Sequence, residues 1–500
     1  MNEERIRLRY TGFIAFIAQG FTVITGVLFT LTITRRLTPE EFGLWQYIGV
    51  FLAYFLLPFR PISYWATRFA ARGEDIFITV VAMAILMALP ASILFVFYSS
   101  FMAALASSPL IYFLLCSIQI PALYLELALS SFAYGKRPHI SQYAIIIYEA
   151  FKVALALWLV VFMNLRLIGA IMAVTATYYV KSFFLAFNLR DLLKGHVIKA
   201  QALKLLKLYW LPLYAILPDF IFSFGAVIVT MIAGSTLPVA YLTAASLIGR
   251  PVGLTQSLAA GLYPRLLRGP SSRDVEVSFG LTFMFAIPMF IGVLILAQPL
   301  LNILRPDYVD ITPIVIIVAI HSLSATLPSI LSTIVMGVER IDVSERANFK
   351  DYIKSRLFLM YTLSYMHGAL YLLLLYAILS TIKSFDLMSL AITWSLISLL
   401  TYIPFTVYMW KLAKRMLNFA FPVKSLFKYF VASVPMALLT YLLKPKMLSH
   451  QLIKALMDLL PCIVLAVLAY IVTLYMISRE FKELVKGVII ELKRVYNLMH

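Results

Sequence analysis

The sequence predicts an all-α polytopic membrane protein of about 14 transmembrane helices. Three observations carry this. Of 500 residues, 62% are hydrophobic and only 13% are charged, and the mean hydropathy is +0.92, a balance that a soluble fold cannot hide from water. Runs of roughly 20 apolar residues, the length needed to cross a bilayer, recur along the whole chain. The charged residues gather in short stretches between those runs.

The first run, Thr11 to Thr34, is too long for the apolar part of a cleavable signal. Arg35-Arg36 follows it where a small-residue cleavage site would stand, so it is expected to stay as the first span. Five more spans are predicted near 42–67, 76–98, 109–133, 140–162 and 167–188. After a polar connection, eight follow near 208–232, 237–262, 277–297, 312–336, 357–380, 386–410, 427–443 and 456–477. The two cysteines, Cys116 and Cys462, lie inside apolar runs, which argues against a disulfide framework. No Asn-x-Ser/Thr acceptor occurs, which weighs against a glycosylated surface protein.

Orientation follows from the loops. An even number of spans puts both termini on one side, and 30 of the 42 Lys and Arg residues fall on that side. Eight fall on the other: Arg35, Arg36, Arg166, Arg305, Lys383, Lys444, Lys446 and Lys454. Such a bias predicts a multi-pass plasma-membrane protein with cytoplasmic N and C termini. It also accounts for the net charge of +19. A basic excess spread over cytoplasmic loops meets anionic lipid head groups, so no nucleic-acid partner is expected.

The predicted organisation is an N-terminal lobe over 1–190, a linker over 191–207, a C-terminal lobe over 208–410, two further spans over 411–478 and a tail over 479–500. The linker sets Lys199, Lys204 and Lys207 among Val197, Ile198, Leu203, Leu205 and Leu206. The tail sets Lys482, Lys486, Lys493 and Arg494 against Phe481, Leu484, Val485, Val488 and Leu492. Both read as basic amphipathic helices at the membrane surface, with a partner-docking helix as the other reading of the tail. Three faint correspondences support two related lobes. Gly135 and Gly337 each end a span, Trp45 and Tyr241 each follow a Pro-containing turn, and Arg60-Pro61 and Arg250-Pro251 each lie in the second span of a lobe.

An ionisable residue inside a span is costly unless it is paired or faces a water-filled cavity. The candidates are Arg60, Glu126, Glu149, Lys152, Lys181, Asp219 and Arg250, with His321 and His367 beside them. Each has a plain alternative. Glu149 and Lys152 stand three apart on one helix face and can neutralise each other. Arg60, between Pro58 and Pro61, and Lys181 can snorkel toward a surface. Arg250 is about midway along its span, which favours a cavity. Asp219 follows Pro218, where a freed carbonyl fits a cation site, the alternative being a salt bridge to Arg250. The histidines read more readily as packed polar residues than as proton relays. Four basic residues against three acidic ones suit an anionic substrate group. A phosphate about 4 Å from one Arg gains about 4 kcal/mol at an effective dielectric of 20, before desolvation, and the guanidinium fork matches phosphate oxygens.

No P-loop, HExxH, GxSxG or Cys/His metal cluster is present, and the external loops are too short to carry an acidic catalytic site. No enzyme activity, metal or cofactor is expected. The turn Thr34-Arg35-Arg36-Leu37-Thr38-Pro39-Glu40-Glu41-Phe42-Gly43-Leu44-Trp45 resembles the Arg-x-Leu-(small)-Pro-Glu-x-(Phe/Tyr)-Gly turn of the polysaccharide transporter, or oligosaccharide flippase, family. That family belongs to the multidrug/oligosaccharidyl-lipid/polysaccharide (MOP) exporter superfamily. Tyr134-Gly135-Lys136 and Leu304-Arg305-Pro306-Asp307-Tyr308 are also similar to family features. Two departures, Thr38 in place of the usual Gly and no Gly in Leu304-Arg305-Pro306, leave the subfamily and its glycan unassigned.

The resemblance implies two six-helix lobes forming a V-shaped central cavity, plus two additional C-terminal helices. It implies a flippase that moves a lipid-linked oligosaccharide to the external leaflet by alternating access for cell-surface polysaccharide assembly, with membrane lipids and glycan-assembly proteins as partners. In that reading Arg60, Lys152, Lys181 and Arg250 are phosphate contacts, and Asp219, Glu126 and Glu149 are ion- or proton-coupling groups. Two rival readings remain: a cation-coupled drug exporter of the same superfamily, which needs an acidic cavity, and a non-transporting scaffold, in which every buried charge is internally paired.

Overall fold

Thirteen described helices are long and apolar enough to cross a membrane, and the described residues include no strand. The computed structural model describes residues 21–22, 24–71, 74, 76–194, 197–207, 209–259, 262, 266, 271–338, 355–381, 386–445, 451–483 and 485. The thirteen coincide in order with the predicted runs from 42–67 onward, from Pro39–Thr67 to Lys454–Ile477. The first predicted run, near 11–34, is described only in part; its helix α1 occupies 24–36. The tail beyond residue 485 lies outside the described residues. Leu86 and Phe97 are each 72% exposed, and large apolar side chains facing outward in this density mark helices solvated by lipid.

The chain forms two compact units, Met1–Ala240 with Leu375–Leu390 and Tyr241–Leu374 with Ala391–His500. In the first, α1 is followed by α2 (Pro39–Leu56), a 3-10 turn (Leu57–Phe59) and α3 (Arg60–Ala71). Then come α4 (Phe77–Leu105), α5 (Leu110–Ser117), α6 (Gln119–Lys136), α7 (Pro138–Ala156), α8 (Arg166–Asn188), α9 (Lys199–Lys207) and α10 (Trp210–Ala233). The linker predicted as an amphipathic helix thus contains α9, with Lys199 exposed and Leu205 buried.

The turn into α2 is built by its own sequence. Thr38 Oγ1 accepts from Glu41 N at 3.2 Å, and Thr38 N donates to Glu41 Oε2 at 2.9 Å, so two helix-end donors are satisfied reciprocally. Pro39 occupies the first turn, where its missing N–H leaves no bond unmade. Gly43 lets the helix approach Thr236 so closely that an added Cβ would stand 2.2 Å from the Thr236 carbonyl oxygen. Thr236 Oγ1 also donates to Glu40 O at 3.1 Å.

Helix α7 widens into a π-helical turn over Leu157–Phe162. The chain then reverses through Asn164 and Arg166, at φ 52° and 49°. Arg166 Nη2 reaches Glu41 Oε2 at 3.0 Å, tying this reversal to the turn into α2. On the opposite end of the same helices, Arg137 Nη1 donates to Asn188 O at 2.5 Å and to Asp191 Oδ1 at 3.0 Å.

The second unit contains most of α11 (Leu237–Gly249), a 3-10 segment (Arg250–Ala259), α12 (Ser272–Leu304), α13 (Thr312–Val338), most of α14 (Arg356–Thr381) and of α15 (Leu387–Met416), α16 (Val423–Leu443) and α17 (Leu452–Ile477). Gly249 allows close packing on α13, where an added Cβ would stand 2.8 Å from Val318 Cγ1 and 3.0 Å from Ala319 N. Helices α16 and α17 pack as a hairpin on α12, with the Tyr470 hydroxyl donating to Met284 O.

Candidate functional site

One edge of the site is the break in the second span. Pro58 and Pro61 have no N–H to continue the helical ladder, so α2 gives way to the 3-10 turn and α3 starts afresh at Arg60. Inside a membrane the carbonyls released at such a break need new donors. Tyrosines supply them: Tyr124 Oη donates to Phe55 O at 2.7 Å and Tyr209 Oη to Pro58 O at 2.8 Å. Arg60 thereby stands on a fixed bend, its guanidinium 5.7 Å from the centre of the Phe220 ring. The side chain is exposed, and among the described residues no carboxylate pairs with it.

Beside Arg60 lies a cavity of about 320 Å³ within the first unit, with Lys152, Trp45, Gln119, Tyr148 and Tyr178 among its walls. Lys152 Nζ bonds Glu149 Oε1 at 2.7 Å, and Glu149 Oε2 accepts from Thr25 Oγ1 at 2.7 Å. The same ammonium lies 5.2 Å from the Phe29 ring centre and 5.1 Å from that of Tyr148. A second pair stands behind it. Lys181 Nζ bonds Glu126 Oε1 at 2.5 Å, Ser130 Oγ donates to the same oxygen at 2.6 Å, and Lys181 Nζ is 5.4 Å from the Tyr148 ring centre. Both pairs are largely shielded, with side-chain exposures of 7–14%. Desolvated charges persist in such places when paired and hydrogen-bonded.

With all five groups ionised, Arg60, Lys152 and Lys181 against Glu126 and Glu149 leave one positive charge, on Arg60. Of the seven candidates, Arg60 and Lys152 line the cavity, Glu149 is bonded to Lys152, and Glu126 and Lys181 form a pair beside the Tyr148 ring. The Glu149–Lys152 pairing anticipated from their spacing is present, and Lys152 lines the cavity as well. Lys181, for which the sequence favours snorkelling, is instead held by Glu126 across two helices.

Asp219 and Arg250 fall in different units. Asp219 follows Pro218 within α10 and is exposed on its unit. Arg250 is exposed too, and it opens the 3-10 segment at the end of α11, so it does not sit midway along one continuous helix as the predicted span 237–262 suggests. Both Arg-Pro pairs thus open a new segment where a helix stops. His321 and His367 take part in an aromatic cluster, their rings 4.9 and 5.0 Å from Tyr402, with His367 stacked on Phe405 at 5.1 Å.

Sequence reasoning missed Tyr148, Tyr178, Trp45, Phe29, Gln119 and Thr25. Nothing distinguishes these rings among 29 tyrosines and 36 phenylalanines in the chain; the one usable cue was that Tyr148 directly precedes a membrane-embedded glutamate.

No protein-family model matches the chain, and no curated protein matches it. Solved structures do. The chain is similar to the lipid II flippase MurJ in an inward closed conformation, with a TM-score of 0.64 and 16% identity over 95% of this chain and 100% of that one. It is also similar to an inward-facing multidrug resistance MATE family transporter of the MOP superfamily, with a TM-score of 0.55 and 12% identity over 80% of this chain and 98% of that one. An outward-facing MATE transporter gives 0.51 and 14% identity over 82% and 95%. At these identities the likeness concerns the backbone: the chain has the fold of the MOP-superfamily transporters.

Proposed function

We propose that this protein is a flippase that carries a polyprenyl-(di)phosphate-linked oligosaccharide from the cytoplasmic to the external leaflet by alternating access. The observation that carries the reading is the charge at the cavity: Glu126 and Glu149 are already occupied by lysines, and among the described residues Arg60 has no carboxylate partner. An anionic group gains from that arrangement, about 4 kcal/mol for one phosphate charge at 4 Å and an effective dielectric of 20, before desolvation. A cationic drug would meet net positive charge instead. In this reading Arg60 and Lys152 contact the phosphates, Lys181 sets the local field, and Arg250 is a further candidate phosphate contact. Glu126, Glu149 and Asp219 are the coupling groups: Glu126 and Glu149 can exchange a cation or a proton for the lysine each now holds, and Asp219, exposed on α10, can take one directly. The lobes are 1–190 and 208–410, both termini are cytoplasmic, and the product serves surface-glycan assembly.

The test is reconstitution into liposomes with a fluorescent short-chain polyprenyl-diphosphate oligosaccharide, following its leaflet exchange by quencher access. Protein-dependent exchange is expected, reduced at least tenfold by Arg60→Ala and by Arg250→Ala, with both variants inserted normally. Exchange at the wild-type rate in both variants removes the phosphate role; no exchange under any ion gradient removes the flippase reading.

A further inference from the structure

Resting on that reading, we infer that the cavity beside Arg60 is a subsite for the first sugar of the carried glycan together with its phosphate, and that it recognises the sugar ring as well as the charge. Much of the lining is aliphatic, with Leu52, Leu56 and Leu123 among it, and the groups that can recognise a ligand separate into two chemistries. Arg60, at the helix break, is a guanidinium with no carboxylate partner among the described residues, the group best shaped to grip a phosphate in two bonds. Lys152, also on the wall, is already neutralised by Glu149 at 2.7 Å and wedged between the rings of Phe29 and Tyr148. Among the described lining residues, Arg60 is therefore the cation that carries no carboxylate of its own, while Lys152 meets a ligand as half of an ion pair.

The rest of the lining is wrong for a bare phosphate. Trp45 and Tyr178 present partly exposed aromatic surface, and Gln46 and Gln119 present amides. Gln119 Oε1 accepts a long bond from Thr175 Oγ1 at 3.5 Å, which leaves the amide N–H groups as the donors this side chain offers. Aromatic faces with a few convergent amides are the surroundings that suit a ring with an apolar face and hydroxyl edges. Room is made on purpose. Gly49 stands exposed on the cavity wall, and a Cβ added there meets nothing within 4 Å. The volume, about 320 Å³, lies at the lower end of the roughly 300–1,000 Å³ that enclose drug-sized ligands. One sugar and its phosphate fit it; an oligosaccharide does not, so the remaining sugars extend outside.

The experiment is calorimetric titration of the full chain in lipid nanodiscs with glucose 1-phosphate, inorganic phosphate and glucose, on wild type, Trp45→Ala, Arg60→Ala and Gly49→Leu. Glucose 1-phosphate is expected to bind at least tenfold more tightly than inorganic phosphate. Trp45→Ala should erase that margin and leave inorganic phosphate unchanged, whereas Arg60→Ala should weaken both phosphates. Gly49→Leu adds a good helix-forming residue on the cavity wall, at a position where a Cβ meets nothing within 4 Å, and it should exclude glucose 1-phosphate while retaining inorganic phosphate. Equal affinity for the two phosphates, or a margin that survives both Trp45→Ala and Gly49→Leu, overturns the sugar subsite and leaves the phosphate reading standing. Binding of neither phosphate, or phosphate binding indifferent to Arg60, overturns both.

Discussion

Lys152 and Lys181, on different helices, stand over the same tyrosine: their ammonium nitrogens are 5.1 and 5.4 Å from the centre of the Tyr148 ring. Two cations can share one ring in a shielded place because each has its own carboxylate. Removing one carboxylate leaves an uncompensated charge beside another of the same sign. Glu126→Gln is expected to destabilise the protein by about 3–5 kcal/mol, and Glu126→Gln with Lys181→Gln by much less. Denaturant unfolding of the two singles and the double, as a mutant cycle, reads the coupling; a double variant no more stable than Glu126→Gln alone would show that the pair is not the reason.

Gly43 and Gly49 lie on the same helix and predict opposite outcomes. Alanine at 43 puts a Cβ 2.2 Å from the Thr236 carbonyl oxygen, and backbone must move to admit it. Gly43→Ala should lower stability by about 1–3 kcal/mol despite the better helix residue. Gly49→Ala meets open space and should be neutral to stabilising by up to about 1 kcal/mol. Melting temperatures of the two purified variants settle the comparison.

The tyrosines at the helix break differ in burial. Tyr124 is 1% exposed, so Tyr124→Phe strands the Phe55 carbonyl and should cost about 1–3 kcal/mol. Tyr209 is half-buried, and Tyr209→Phe should cost less than Tyr124→Phe. Thermal unfolding of each variant is the measurement, and equal losses would contradict the argument.

Arg137 gives a pH prediction outside the membrane. Its guanidinium holds the Asp191 carboxyl below the usual carboxylate range, the hydrogen bond being the larger cause. A carboxyl with a lowered folded pKa contributes stability that is full above its unfolded pKa, near 3.9, and lost as pH falls through the lower folded value. Asp191→Asn should therefore melt slightly below wild type at neutral pH, with the difference shrinking to nothing in acid well below pH 4. The pair is exposed, so salt should shrink it also.

The spans were legible because a bilayer demands roughly 20 apolar residues in a row, whatever the tertiary packing. The break at Arg60 falls inside what reads as one apolar run over 42–67, whereas the Glu149–Lys152 pair was legible from its helical spacing. The Lys181–Glu126 pair was not, because 55 residues separate its members and only the packing of α6 on α8 brings them together. Nor was Tyr148, which has no ionisable charge in the working range to stand out within an apolar run. The change of helix type at Arg250 was not legible either, because counting residues along a span assumes one continuous α-helix, and the chain turns into a 3-10 segment at that residue.

The empty space in front of Gly49 has a consequence for how this protein diversifies. Most positions in a packed helix bundle resist enlargement, so altering what a cavity accepts usually disturbs the scaffold. At residue 49 a Cβ can be added without displacing a neighbour. Selection or engineering can therefore begin to adjust cargo size at this one position while the surrounding helices keep their register.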